Sequence, residues 1–292
     1  MTGTANPVIA DTLGQLRARG VTRLRAAASA PGATPDLDVE LLLAHALGVT
    51  RSRLRSHPEQ MPDVPGARRF LDLIERRAAG EPIAYLLGRK GFWTLELAVT
   101  PAVLIPRPET ELLVECALTR LRGSAVHIAD LGTGSGAIAL ALAAERPNWR
   151  VTATDVSAEA LAVARANAVS LGLARVTFVQ ADWLGGLARG AFDLVVSNPP
   201  YVALDDPALA ALAHEPQAAL TAGSDAMACL RRIVRAAPDH LTPGGWLMLE
   251  HGATQASAVT GELAARGFVT VRTHRDLAGH ERVTEGQWPT HP

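Results

Sequence analysis

Asp130-Leu131-Gly132-Thr133-Gly134-Ser135-Gly136 decides the fold. Residues 126–131 before it read as a strand, and residues 137–145 after it as an apolar helix. Glycines at a strand-to-helix turn accept positive φ and let a ligand approach the backbone closely. Gly132, Gly134 and Ala137 also satisfy the dinucleotide fingerprint. The loop alone therefore fits a nucleotide-type ligand, and it fits a purely structural tight turn as well.

Outward from this loop, strands and helices alternate. Strands are predicted at 126–131, 151–155, 176–180, 194–197, 246–250, 268–273 and 282–285. Helices at 137–145, 158–171, 227–237 and 255–265 lie between most of them. This pattern predicts an α/β fold, a Rossmann-like and mostly parallel seven-stranded sheet with helices on both faces. A parallel crossover needs about a dozen residues. Only 276–281 joins the last two strands, so the last strand is expected to run antiparallel to its neighbours.

The second strand ends in Asp155, 23 positions after Gly132. A carboxylate there can accept both protons of a ribose diol, which NAD and S-adenosylmethionine both carry. It also suits the cap of the next helix, as Ser157 does. The third strand ends in Ala181-Asp182-Trp183. Asp182 can accept from an adenine amino group and Trp183 can stack on the ring; a surface acid beside a core tryptophan is the plainer reading.

The fourth strand ends at Ser197 and runs into Asn198-Pro199-Pro200-Tyr201. Two prolines stiffen the turn and remove two N–H donors. What remains is a set of acceptors and a ring, suited to a planar NH2. The Asn198 side-chain oxygen and the Pro199 carbonyl can each take one proton, and Tyr201 can lie against the flat face. Such a grip orients a nitrogen for in-line displacement and stabilises positive charge developing on it. Asn-Pro-Pro-Tyr in isolation is also an ordinary turn.

The first 88 residues carry short helices at 9–20, from Asp36 to Gly48, and at 67–79, with no strand alternation and no visible chemistry. Phe70, Leu73 and Ile74 are expected inside; Arg68, Arg69, Arg76 and Arg77 outside. This segment holds 11 arginines against 9 acidic residues. Arg51, Arg53 and Arg55 read as a solvated face or a partner contact. Residues 92–99 then read as a strand, 100–102 as a turn and 103–105 as its return. This predicts a β-hairpin linker over 89–108, and Pro108-Glu109-Thr110-Glu111 makes a good helix start.

A net charge of −1 gives no general attraction for nucleic acid. Cys116 and Cys229 read as core thiols and cannot form a disulfide framework. No apolar run approaches the ~20 residues of a membrane span, and the N-terminus carries no signal-peptide pattern, so the cytoplasm is the default. Lys90 is the only lysine.

Several segments together resemble the glutamine methyltransferases that modify peptide-chain release factors, the HemK/PrmC family. They are Glu81-Pro-Ile-Ala-Tyr-Leu-Leu-Gly88, Phe92-Trp93, Leu104-Ile-Pro-Arg-Pro-Glu-Thr-Glu111, the glycine loop, Ser197-Asn-Pro-Pro-Tyr201, Glu215-Pro216 with Ala219-Leu220, Leu249-Glu-His-Gly252 and Asp276-Leu-Ala-Gly279. Gly91 stands where an acidic residue is expected. The glycine loop is common to many methyltransferases; the Ile-Pro-Arg-Pro-Glu-Thr-Glu segment is far more specific.

The resemblance implies a helical substrate-docking domain over 1–88, the linker at 89–108 and an S-adenosylmethionine-dependent methyltransferase domain over 109–292. The implied substrate is the glutamine of the Gly-Gly-Gln motif in class-1 release factors. It implies that Asn198, Pro199, Pro200 and Tyr201 grip the glutamine amide, with Asn198, Pro199 and Tyr201 serving catalysis. Gly132, Thr133, Gly134, Ser135, Gly136, Asp155, Asp182, Trp183 and Asn198 would hold the cofactor. No metal, membrane or direct nucleic-acid contact is expected, and a monomer is. The alternative is a DNA or RNA adenine methyltransferase, which uses the same four residues but must flip its base and would bring a basic channel. A Rossmann dehydrogenase has no use for the acceptor cradle, and a non-catalytic binder would carry it idle.

Overall fold

The computed structural model describes residues 11–27 and 34–290. The first turn of the predicted 9–20 helix and the N-terminal signal reading lie outside the described residues. The chain divides into two compact units, Met1–Gly88 and Arg89–Pro292.

The first unit contains α1 (Leu13–Ala26), α2 (Pro35–Leu47), α3 (Arg51–Ser56), α4 (Val64–Ala78) and α5 (Ile83–Leu87). Thr12 opens α1 with a capping box to Gln15, and Thr50 and Asp63 cap α3 and α4. Leu16, Leu42, Leu43 and Phe70 form the centre of the core. Arg51 and Arg55, joined by Arg17, converge on the buried carboxylate of Glu40. Their contacts, that of Arg55 first, hold Glu40 below the usual carboxylate range against the cost of its burial. Those two arginines are thus engaged within the unit. Arg77, expected outside, instead pairs with buried Asp38 at 2.8 Å.

The second unit opens with a hairpin, β1 (Arg89–Phe92) and β2 (Leu95–Ala98), whose register pairs Phe92 with Leu95. The expected hairpin is therefore displaced: the turn falls at Trp93-Thr94, and 103–105 is not a strand. Two acids account for this. Glu111 accepts from the Trp93 N–H at 2.8 Å, and Trp93 takes a φ of 55°. Glu215 takes the Ile105 N–H at 3.0 Å, which a strand ladder would otherwise use. Phe92 and Leu97 are buried in the same core as the large sheet, so the hairpin packs into this unit.

Then follow α6 (Glu111–Arg120), β3 (His127–Leu131), α7 (Ala137–Glu145), β4 (Arg150–Asp155), α8 (Ala158–Ser170), β5 (Thr177–Gln180), β6 (Phe192–Ser197), α9 (Gln217–Leu220), α10 (Ala228–His240), β7 (Leu241–Glu250), α11 (Ala256–Arg266), β8 (Val269–Arg275) and β9 (Glu281–Gln287). The seven strands run in the order β5-β4-β3-β6-β7-β9-β8. The first five are parallel, and β9 is antiparallel to both β7 and β8, as the short connection requires.

Alternation decides which face each residue serves. Ile128, Leu194, Val196 and Met248 pack with α6 and α7. Ala129, Val195, Leu247 and Leu249 pack with α10 and α11 on the other face. Helix α7 is buried from Ala137 to Ala143, as an all-apolar helix must be. The order of strands reverses between β3 and β6. That switch point opens a crevice beyond their carboxyl ends, where the glycine loop and Asn198 both lie.

Candidate active site

The glycine loop is folded by Asp130. This buried carboxyl accepts from the Thr133 hydroxyl at 2.7 Å and the Ala139 N–H at 3.2 Å. Burial pushes it up to about 7, although Thr133 and Ala139 pull the other way. Gly132, Gly134 and Gly136 take φ of 68°, 56° and 87°. A Cβ at Gly134 would meet nothing within 4 Å, so the space over that residue is free. A Cβ at Gly136 would come within 2.9 Å of Leu140, so this third glycine serves packing.

Asp155, at the end of β4, accepts from the Gly134 N–H at 2.9 Å and the Ser157 N–H at 3.0 Å. Ser157 itself caps α8 through the Ala160 N–H. Asp155 is thereby free of the capping role and turned toward the loop. Trp183, at a φ of 56°, lays its ring against Gly132, 3.2 Å from where a Cβ would stand. Positive φ in a bulky residue stores strain of the kind found at ligand sites. Asp182 pairs with Arg232 at 2.6 Å.

A cavity of about 370 Å³ gathers Gly132, Gly134, Asp155, Asp182, Trp183 and Asn198, together with Ala102, Val103 and Leu104. Thr133, Ser135 and Gly136 are not on its wall: the first two are buried in the loop, where the Ser135 carbonyl accepts from Asn167. Cys229, read as a core thiol, is only partly buried and lines this cavity; burial raises its pKa.

A second cavity, of about 90 Å³, lies under Asn198, Pro199, Pro200 and Tyr201 and is bounded also by Arg107, Val202 and Leu220. Leu104, Asn198, Pro200 and Ala219 line both cavities. Two compartments thus share one wall at Asn198.

The cradle is held from below. Asn198 donates its Nδ2–H to the Thr110 hydroxyl at 3.0 Å, which leaves Oδ1 without a donor among the described residues. The Pro199 carbonyl accepts from none of the described residues. Tyr201 donates its hydroxyl to Glu250 at 3.2 Å, and its carbonyl accepts from Gln255 at 3.0 Å. Burial, reinforced by the Glu250 charge, raises the Tyr201 phenol above its ordinary value. Burial also pushes Glu250 up to about 7, against the Thr110 and Tyr201 hydroxyls beside it. On the far side, Arg107 and the buried Glu215 form an ion pair, and Glu215 also takes the Ile105 N–H. The 104–111 segment thus lies on the cavity walls and against Asn198, beyond its use as a helix start.

Thr110, Glu215 and Glu250 stand in segments that carry the family resemblance, but their side-chain contacts, like that of Gln255, do not follow from the sequence. Glu250 left a readable signal: a charged residue closing the apolar run Trp246-Leu247-Met248-Leu249. The contacts of Thr110 and Gln255 left none, because their partners lie 88 and 54 residues away. No group of His, Cys, Asp or Glu among the described residues could hold a metal ion. No helix among them is long and apolar enough to cross a membrane.

Residues 108–227 match the family model described as methyltransferase small domain, and residues 15–88 match PrmC N-terminal domain. The release factor glutamine methyltransferase of Pseudomonas aeruginosa is 52% identical over 86% of this chain and 92% of its own length. That of Xylella fastidiosa (strain Temecula1) is 50% identical over 87% and 93%. A crystal structure of a methyltransferase from Pyrococcus furiosus shares the fold: TM-score 0.53 at 22% identity, over 74% of this chain and 97% of that one.

Proposed function

The chain belongs to the release factor glutamine methyltransferase family, and from that premise we propose that Asn198, Pro199 and Tyr201 grip the glutamine amide of a Gly-Gly-Gln motif in class-1 release factors. The protein is an S-adenosylmethionine-dependent protein-glutamine N-methyltransferase. The observation that carries the site assignment is the shared wall: Asn198 stands between a large cavity rimmed by Gly134 and Asp155 and a small one the size of a side chain.

The residues of the large cavity fit the cofactor. Gly134 leaves open space over its backbone, and Asp155 offers carboxylate lone pairs to a ribose diol. Trp183 offers a ring for the adenine; Asp182, already paired with Arg232, is the weaker contributor. When bound, S-adenosylmethionine supplies an electrophilic methyl on a sulfonium.

The remaining work belongs to the chain. Asn198 Oδ1 and the Pro199 carbonyl accept the two amide protons, fixing the nitrogen and raising its electron density. The Tyr201 ring closes the flat face. Both acceptors also stabilise the charge that develops on nitrogen. No strong base must act first, because the N-methylated amide is formed as a cation, and that cation is strongly acidic and sheds a proton afterwards. In favourable models, positioning of this kind is worth about 7–11 kcal/mol.

The helical unit, residues 1–88, is proposed to help dock the release factor, which its match to a family-specific model supports. The proposal includes a monomer working in the cytoplasm with no direct nucleic-acid partner, in keeping with a net charge of −1. The adenine-methyltransferase alternative gains nothing from relatives that are release factor enzymes over nearly their whole length.

The test is mass spectrometry of a release factor incubated with the enzyme and methyl-labelled S-adenosylmethionine. One methyl is expected on the motif glutamine, and none when that glutamine is alanine. Asn198→Ala should lose transfer while still binding cofactor more weakly. Label on duplex DNA with none on the release factor would overturn the reading.

A further inference from the structure

An asparagine can accept from a substrate amide only if its own amide is held the right way round. Asn198 is held by Thr110, whose hydroxyl takes the Nδ2–H at 3.0 Å. Thr110 is buried at the turn into α6. Its hydroxyl lies beside the carboxyl of Glu250 and favours that group's charge, while the Tyr201 hydroxyl donates to Glu250 Oε1 at 3.2 Å. The register Ser197↔Leu249 puts Asn198 and Glu250 side by side where β6 and β7 end.

A carboxylate has no proton to give, so a hydroxyl beside it turns its own proton toward the charge, as Tyr201 does. Thr110 then has only lone pairs left for Asn198. Asn198 must turn its NH2 toward Thr110 and its Oδ1 toward the cavity. The second Glu250 oxygen, Oε2, is buried with no hydrogen-bond partner among the described residues, so the carboxylate has lone pairs to spare for the Thr110 hydroxyl beside it.

We propose that Glu250 and Thr110 are positioning residues that set the polarity of the cradle: the buried carboxylate orients Thr110, and Thr110 orients Asn198 as an acceptor. This rests on the reading that Asn198 accepts from the substrate amide. The same arrangement makes turnover depend on the ionisation of Glu250. Once protonated, that carboxyl can donate to Thr110, reverse the hydroxyl and turn the Asn198 amide inside out. The groups facing the carboxyl are Thr110 and Glu109 at the turn into α6, Tyr201 after β6, and Arg282 on β9. Arg282 favours the charge and Glu109 opposes it, while burial raises the group to about 7.

The experiment compares full-length wild type with Thr110→Val, Thr110→Ser, Glu250→Gln and Asn198→Ala. It reads kcat and KM on an intact release factor between pH 6 and 8.5, and cofactor affinity by calorimetry. Thr110→Val and Glu250→Gln should lower kcat about 10–100-fold at pH 8, the range for replacing an acceptor by a donor at a charged transition state. KM and cofactor affinity should stay within about threefold. Thr110→Ser, which keeps the hydroxyl, should restore most of the turnover. Wild-type kcat should fall with acid through about pH 7, and Glu250→Gln should lose that limb.

Wild-type turnover in Thr110→Val and Glu250→Gln beside an inactive Asn198→Ala overturns this proposal alone. A normally active Asn198→Ala overturns the reading beneath it. Loss of cofactor affinity in step with kcat assigns the two residues a merely structural role and overturns the proposal as well. A wild-type profile with no limb between pH 6 and 8 does the same without recourse to any variant.

Discussion

Asp155 receives two backbone N–H groups, from Gly134 and Ser157, on opposite oxygens of its carboxylate. Each oxygen keeps a further lone pair and Asp155 lines the large cavity, so one residue both shapes the glycine loop and has acceptors to offer a diol. Asp155→Ala should raise the dissociation constant for S-adenosylmethionine about 10–100-fold, the weight of one or two hydrogen bonds to a charged group. Isothermal titration calorimetry reads this directly, and an unchanged constant would remove Asp155 from the site. An acid at the end of a second strand was legible because its spacing from Gly132 follows from the length of a βαβ unit. That Ser157, not Asp155, caps α8 was open in the sequence, since both are good caps and only geometry separates them. The pairing of Asp182 with Arg232, fifty positions away, has no local pattern at all.

At the scale of elements, the five parallel strands were legible because each carries apolar or β-branched residues over strand length between turn residues, whereas β8 and β9 are largely polar. The antiparallel β9 followed from the length of a loop. The hairpin was misplaced because 103–105 is apolar for another reason: Val103 and Ile105 are buried while the Ile105 N–H goes to a side chain. What anchors the true hairpin is Asn167, buried in α8. Its Oδ1 accepts from the Ala98 N–H at 2.7 Å, and its Nδ2 donates to the carbonyls of Ala98 and Ser135 at 3.0 and 2.9 Å. One amide thus ties β2 to the glycine loop. Asn167→Ala removes three hydrogen bonds, the one to Ser135 fully buried, and at about 1 kcal/mol for each the unit should lose roughly 3 kcal/mol. Hydrogen exchange should quicken at Ala98 and in the loop together. Protection lost at only one of the two would show that Asn167 does not couple them.

Across the whole molecule, two buried carboxyls, Asp130 and Glu250, are held near 7 by burial. An unfolded glutamate titrates near 4.5. Between that value and about 7 the folded protein keeps a proton on Glu250 that the unfolded chain has released. Stability from this group is therefore greatest in acid and is lost as pH rises through 7. Glu250→Gln keeps the shape and removes the titration. Asp130 and every other group titrate alike in both proteins, so the difference between them isolates Glu250. In urea unfolding the variant should gain on wild type by about 2–3 kcal/mol between pH 5 and pH 8. A difference that stays constant with pH would mean that Glu250 does not titrate inside the fold. The same substitution is expected to cost turnover at pH 8, where the carboxylate orients Thr110. From pH 5 to pH 8 the substitution thus gains on wild type in stability even as it slows the reaction, because the ionised acid is what the cradle uses and what the core resists.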